Sequence, residues 1–194
     1  GSYFSYTTHM AKDGAFLSAK GGMWSMDGDN MKVVWEFDTA DSTRVGTEET
    51  WGFSRMDSGL WFKGSAAPGP WKALDEGVST SLTGPWLFSG SERDGEITRR
   101  DTNQPRKTMK LLTGTRFQWI AYNTETKQFF GTGGGSYTAQ DGKYIEKIEF
   151  FSRDNKRVGA SLEFQFNVDG DDWHHKGKST AGEEMYEIWS RRVE

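Results

Sequence analysis

An internal repeat constrains this chain more than any other feature. At an offset of 113 residues, Phe4 falls on Phe117, Phe16 on Phe129, Gly21-Gly22 on Gly134-Gly135 and Glu36-Phe37 on Glu149-Phe150. The register continues through Asp41 on Asp154, Arg44-Val45-Gly46 on Arg157-Val158-Gly159, Phe53 on Phe166 and Lys63-Gly64 on Lys176-Gly177. A register kept this long is a duplication, so both copies must fold into the same element. A one-residue slip puts Asp27-Gly28 on Asp141-Gly142, where a hairpin turn would absorb an insertion.

Each copy reads as successive strands. Arg116 to Tyr122, Lys143 to Phe151 and Ala160 to Val168 alternate, and period 2 means one face in and one face out. Turn signals separate them at Asn123-Thr124-Glu125, Asp141-Gly142, Arg153-Asp154-Asn155 and Asp169-Gly170. No segment keeps a helical period over three turns, so the fold class is all-β, an antiparallel meander. The alternation predicts that Phe117, Trp119, Ile148, Phe150, Phe164, Phe166, Trp173 and either Trp189 or Tyr186 share one interior.

The two copies differ in extent. About eight elements span 82–194, enough to close a small barrel. The first copy begins at the counterpart of Gly114, so it lacks the strands that match 82–113. We therefore divide the chain into an N-terminal unit, 1–81, without its first strands, and a complete eight-stranded unit, 82–194. An incomplete barrel leaves raw edges. Three outcomes follow: a truncated chain, a strand supplied by a homodimer partner, or a first unit leaning on the second. Residues 66–74 are expected to hold the last strand of the first copy, Trp71 matching Met185. The chain opens on Gly1 with no Met, charged n-region or apolar h-region, which reads as a processed start or an engineered piece of something longer.

Composition narrows the chemistry. The 194 residues include 9 Trp, 6 Tyr and 13 Phe, enough large rings to build packed cores. No apolar run reaches the roughly 18 residues of a membrane-spanning helix. Zero Cys removes disulfides, thiolate metal sites and Cys nucleophiles. A net charge of -4 with interspersed signs gives no footprint for nucleic acid.

Gly84-Pro85-Trp86 at the mouth of the first complete-unit strand, with Trp189-Ser190-Arg191-Arg192 ending the last, resembles the lipocalin or calycin family. The resemblance implies that Trp86 packs at the closed end of the barrel against Arg191 or Arg192, with Gly84 part of the motif. The wording from Gly114 to Asn123 and from Gly131 to Tyr137 is similar to exported lipocalin-like proteins of Bacteroidetes, which implies a periplasmic or cell-surface location. Pro85 and the glycines at 133–135 depart from the usual lipocalin pattern.

Other constellations carry less. The Gly131 to Gly135 run leads into a strand, where glycines mark a bulge, a corner or a close backbone approach and not a phosphate cradle. His174 and His175 point to opposite faces of a strand, so both do not bind one metal. Asp27-Gly28-Asp29-Asn30 lacks the later ligands of a calcium loop and is a turn. Glu146 and Glu149 lie on opposite faces, Glu163 points outward, and no nucleophile elbow or metalloprotease motif is present. We expect no catalytic residue, cofactor or metal. The function expected is non-catalytic binding of a small, largely apolar, lipid-like ligand inside the second barrel, with Trp119, Phe150, Phe164, Phe166 and Trp173 as walls and His175 as polar contact. The alternative is an interaction protein with filled barrels that meets glycan or protein through exposed aromatics such as Trp61 and Trp71.

Overall fold

The computed structural model describes residues 2–75, 77–179 and 181–193 and shows the repeat strand by strand. The first unit is a curled five-stranded antiparallel sheet in sequential order. Its strands are β1 (Tyr3–His9), β2 (Phe16–Asp27), β3 (Asn30–Asp38), β4 (Glu48–Met56) and β5 (Gly59–Lys63). The second contributes β6 (Gly84–Arg93), β7 (Glu96–Arg99), β8 (Arg106–Leu112), β9 (Arg116–Asn123), β10 (Phe129–Gln140), β11 (Lys143–Phe151), β12 (Ser161–Asp169), β13 (Asp172–Lys178) and β14 (Glu184–Arg191). Among the described residues no helix is long and apolar enough to cross a membrane.

The starts of β1 to β5 lie 113 residues before those of β9 to β13, and the 3-10 turn Ser42–Arg44 likewise precedes Asn155–Arg157. The turn between β2 and β3 pairs Asp27 with Asn30, and that between β10 and β11 pairs Gln140 with Lys143. Both hairpin loops are therefore equally long, and the expected insertion does not exist. Glycine sits first in one loop and second in the other, which imitates a slip. The expected last strand of the first unit is also revised. Trp71 forms only an isolated bridge to Leu60. Leu60 is the counterpart of Trp173, which pairs with Trp189, so Trp71 stands in the place of Trp189 and not of Met185.

β14 returns to pair with β6, closing β6 and β8 to β14 into an eight-stranded barrel. β7 lies outside the ring, as a hairpin on the distal half of β6. At the start of β6 the buried Trp86 ring lies under the Arg191 guanidinium at 4.0 Å. Arg191 donates to the carbonyls of Thr83 and Ser81 at 2.9 and 3.0 Å, and Trp86 Nε1 donates to the Leu82 carbonyl at 2.8 Å. This is the packing expected for Trp86, with Arg191 as its partner. Arg192 turns to the first unit instead.

The Gly-Gly pairs place a bulge at the same point in both units. Register shifts fall between Gly21 and Gly22 and between Gly134 and Gly135, with Glu36 and Glu149 the extra residues opposite. A Cβ on Gly22 would lie 2.0 Å from the Val34 carbonyl oxygen, and one on Gly135 2.0 Å from that of Lys147. An extra residue reverses the alternation. Phe150 is therefore outside the barrel, stacked on His9 of the first unit at 5.1 Å, and Phe151 points inward against Trp119. The expectation that Phe150 lines the interior is corrected on this ground.

Outward-facing positions of the two units pack together. Leu87, Met109, Ile120 and Tyr122 of the barrel meet Ala19 and Phe37 of the first unit, with Tyr3, Phe16 and Phe129 at the margin. Glu36, buried between the units, receives both Arg192 Nη2 at 2.5 Å and the Tyr122 hydroxyl. The Arg192 guanidinium also lies 3.9 Å from the Tyr3 ring centroid. Glu36 thus has partners that offset its desolvation.

Candidate functional site

Inside the closed barrel, alternation on β8, β11, β12, β13 and β14 aims Lys110, Tyr144, Glu146, Phe164, Trp173, His175 and Trp189 at one axis. Lys110 Nζ donates to Glu146 Oε1 at 2.8 Å, both side chains being about 6% exposed. The ammonium lies 4.9 Å from a Trp173 ring centroid and 5.1 Å from that of Trp189, a cation–π cage around a buried ion pair. His175 Nδ1 faces Glu187 Oε2 at 3.4 Å, and Trp189 Nε1 donates to the same oxygen at 3.0 Å. His175 Nε2 and Trp173 Nε1 have no hydrogen-bond partner among the described residues.

The titrations follow from the enclosure. Burial lowers the His175 pKa, helped by the charge of Lys110, so the neutral imidazole donates from Nδ1. Burial works to raise the Glu187 carboxyl, but the His175 hydrogen bond and the Lys110 charge outweigh it and hold the carboxyl below its ordinary value. Tyr144 is pushed well above the phenol range by burial and by the Glu146 carboxylate. The rings fill the space between these groups: Phe164 lies 4.0 Å from His175, and Tyr144 lies 5.1 Å from Trp173. Among the described residues no three His, Asp or Glu side chains gather as metal ligands.

Of the predicted wall residues, Phe164, Trp173 and His175 are buried together in this core. Phe166 and Trp119 pack against it while partly exposed, and Phe150 lies outside. The outer face of β12 to β14 carries shallow clefts, one by His174, Lys176 and Tyr186 and another by Lys176, Glu184 and Arg93.

The open interior is in the first unit. Its concave face carries Phe4, Met31, Trp35, Trp51 and Phe62 as a cluster. Tyr6, Leu60 and Trp71 extend this into a groove of about 490 Å³. These are the counterparts of barrel-core positions: Phe4 of Phe117, Tyr6 of Trp119, Met31 of Tyr144, Trp35 of Ile148, Trp51 of Phe164 and Phe62 of His175. In the barrel the same face is covered by β6 and β8; among the described residues the first sheet holds β1 to β5 alone. Edge-to-face contacts stiffen the walls: Phe4 lies 5.6 Å from Trp35, and Tyr6 lies 5.4 Å from Trp71.

No protein-family model and no curated protein matches the chain. The reading therefore rests on geometry. Sequence reasoning placed the site in the complete unit and, of these groove residues, named only Trp71 for a function, as an exposed aromatic that would meet glycan or protein. Lys110 was passed over as well, since a lone Lys between Met109 and Leu111 does not disclose which face is apolar.

Proposed function

We propose that the protein is a non-catalytic binding module for a small, largely apolar ligand, and that the ligand lies in the open half-barrel of the first unit. The observation that carries this reading is the aromatic groove of about 490 Å³ set beside a barrel whose homologous interior is filled by its own side chains. Its size falls within the roughly 300–1,000 Å³ of small-molecule sites, and its walls are ordered by ring contacts before any ligand enters. The lipocalin-like reading is supported by the packing of Trp86 under Arg191, and an exported location is proposed from that resemblance alone.

Tryptophan fluorescence tests it, since Trp35, Trp51 and Trp71 line the groove. Titration with fatty acids, sterols, haem and aromatic compounds is expected to give a saturable change with at least one class. Trp71→Ala or Tyr6→Asp should weaken that binding about tenfold or more, and Trp119→Asp should leave it unchanged. Binding lost in Trp119→Asp and kept in the groove variants would move the site to the barrel.

A second reading rests on the outer edge of β1, which no strand pairs with in the five-stranded sheet. Here another chain completes the first unit, and the apparent stability would fall on dilution. A melting temperature independent of concentration would remove that reading.

A further inference from the structure

Lys20 is the one charged side chain among the described residues lining the groove. Its ammonium lies 5.6 Å from the Tyr6 ring centroid and 5.5 Å from that of Trp35, held on the aromatic wall. No carboxylate among the described residues reaches ion-pair distance of it. Its cross-strand neighbour Asp38 is engaged elsewhere, by Arg44 at 3.1 Å and by the N–H groups of Ala40 and Asp41. Arg44, which also lies over Trp35, is consumed by Asp38 and by Glu49 at 2.5 Å. The repeat supplies a comparison. The barrel counterpart of Lys20 is Gly133, where a Cβ would lie 2.7 Å from Trp119 Nε1 and 2.8 Å from Phe151. The closed interior has no room for a side chain there, and the open one has a cation.

We propose that the groove takes an amphiphile with an anionic head, a carboxylate on an apolar body, and that the Lys20 ammonium meets that carboxylate. This rests on the groove being the binding site. An apolar wall alone would exclude a carboxylate, because an unpaired charge entering it loses its hydration. An uncompensated ammonium on that wall reverses the preference, since a hydrogen bond between charged groups in a partly desolvated site is a strong one. A lysine stem is itself apolar and suits an aromatic wall, which leaves only the head group to pair.

The experiment compares dodecanoate, methyl dodecanoate and dodecylammonium, each kept monomeric, by calorimetry and tryptophan fluorescence. Dodecanoate should bind at least about tenfold more tightly than the ester, the least that a charged hydrogen bond contributes. Lys20→Met should bring the acid down to the ester and leave the ester unchanged, Lys20→Arg should keep the preference, and Lys20→Glu should turn it toward dodecylammonium. Equal binding of acid and ester to the unaltered protein overturns the anionic preference and leaves the groove reading standing. A Lys20→Met variant of unchanged melting temperature that loses acid and ester alike shows that Lys20 serves only as packing, and also overturns it. Binding of none of the three, with the other compound classes equally inert, removes the groove reading itself and this proposal with it.

Discussion

At the scale of single residues, His175 is where folding and protonation meet. Its ring is 1% exposed, and both burial and the charge of Lys110 act against the imidazolium. Glu187 favours that charge, and Glu146 favours it from further away, yet the net direction is below the ordinary 6.5. A histidine with a lowered folded pKa binds fewer protons in the folded chain than in the unfolded one just below that ordinary value. Stability is therefore full above about pH 6.5 and falls as the pH drops through it, with a slope approaching about 1.4 kcal/mol per pH unit for one proton. Glu187, also lowered, adds a further loss below its ordinary 4.5. Denaturant unfolding between pH 7 and 5 should show the first slope, and His175→Gln, which keeps a donor for Glu187, should flatten it. A variant that retains the whole slope would assign the effect to other groups.

Single elements in this protein are set by where two backbones touch. Gly135 faces the Lys147 carbonyl across the bulge, so Gly135→Ala forces a strand apart. The expected cost is roughly 1–3 kcal/mol or more, read as a lowered melting temperature. Gly52 in β4 is the control: a Cβ there meets nothing nearer than 3.5 Å, and Gly52→Ala should be tolerated. Equal effects of the two would refute the account of the bulge. The same bulge shows what could be read in advance. Strict alternation gave the faces of β12 and β13 and put Phe164, Trp173 and His175 together, because nothing interrupts their pairing. It misplaced Phe150, because one extra residue opposite a glycine pair leaves the hydrophobic pattern almost unchanged while reversing its sense. The glycines themselves were legible as a bulge or close approach, but not which partner residue is skipped. Nor does alternation report whether a concave face will be covered. The groove is the face that β6 and β8 cover in the barrel, and its residues look in sequence like any other core.

At the scale of the whole molecule, the duplication extends to how the units pack. Phe16 stacks on Phe129, its own counterpart, with centroids 6.3 Å apart. His9 stacks on Phe150, and Phe37 meets Tyr122, also at 5.1 Å; Tyr122 is the counterpart of His9, and Phe150 that of Phe37. In these ring contacts the units offer each other the same positions, and a contact between positions i and j is answered by one between j and i, the pattern of a two-fold interface between identical subunits. One departure from symmetry comes from a changed residue on matching strands: Glu149 pairs with Arg116 within the barrel, while the counterpart of Arg116 is Tyr3, and Glu36 pairs with Arg192 of the other unit. A face built to meet its own copy should do so again when the copy is removed. Residues 82–194 alone keep a closed ring with its own core, and they expose Leu87, Met109, Ile120 and Tyr122, which the first unit otherwise covers. That fragment is expected to self-associate, with light scattering giving a dimer at tens of micromolar, and Phe129→Asp should return it to a monomer. The full chain should not gain a subunit under the same conditions through this face, because its own first unit already occupies it. A fragment that folds and remains monomeric would show that the apparent two-fold is a relic of the duplication without the affinity to hold two barrels together.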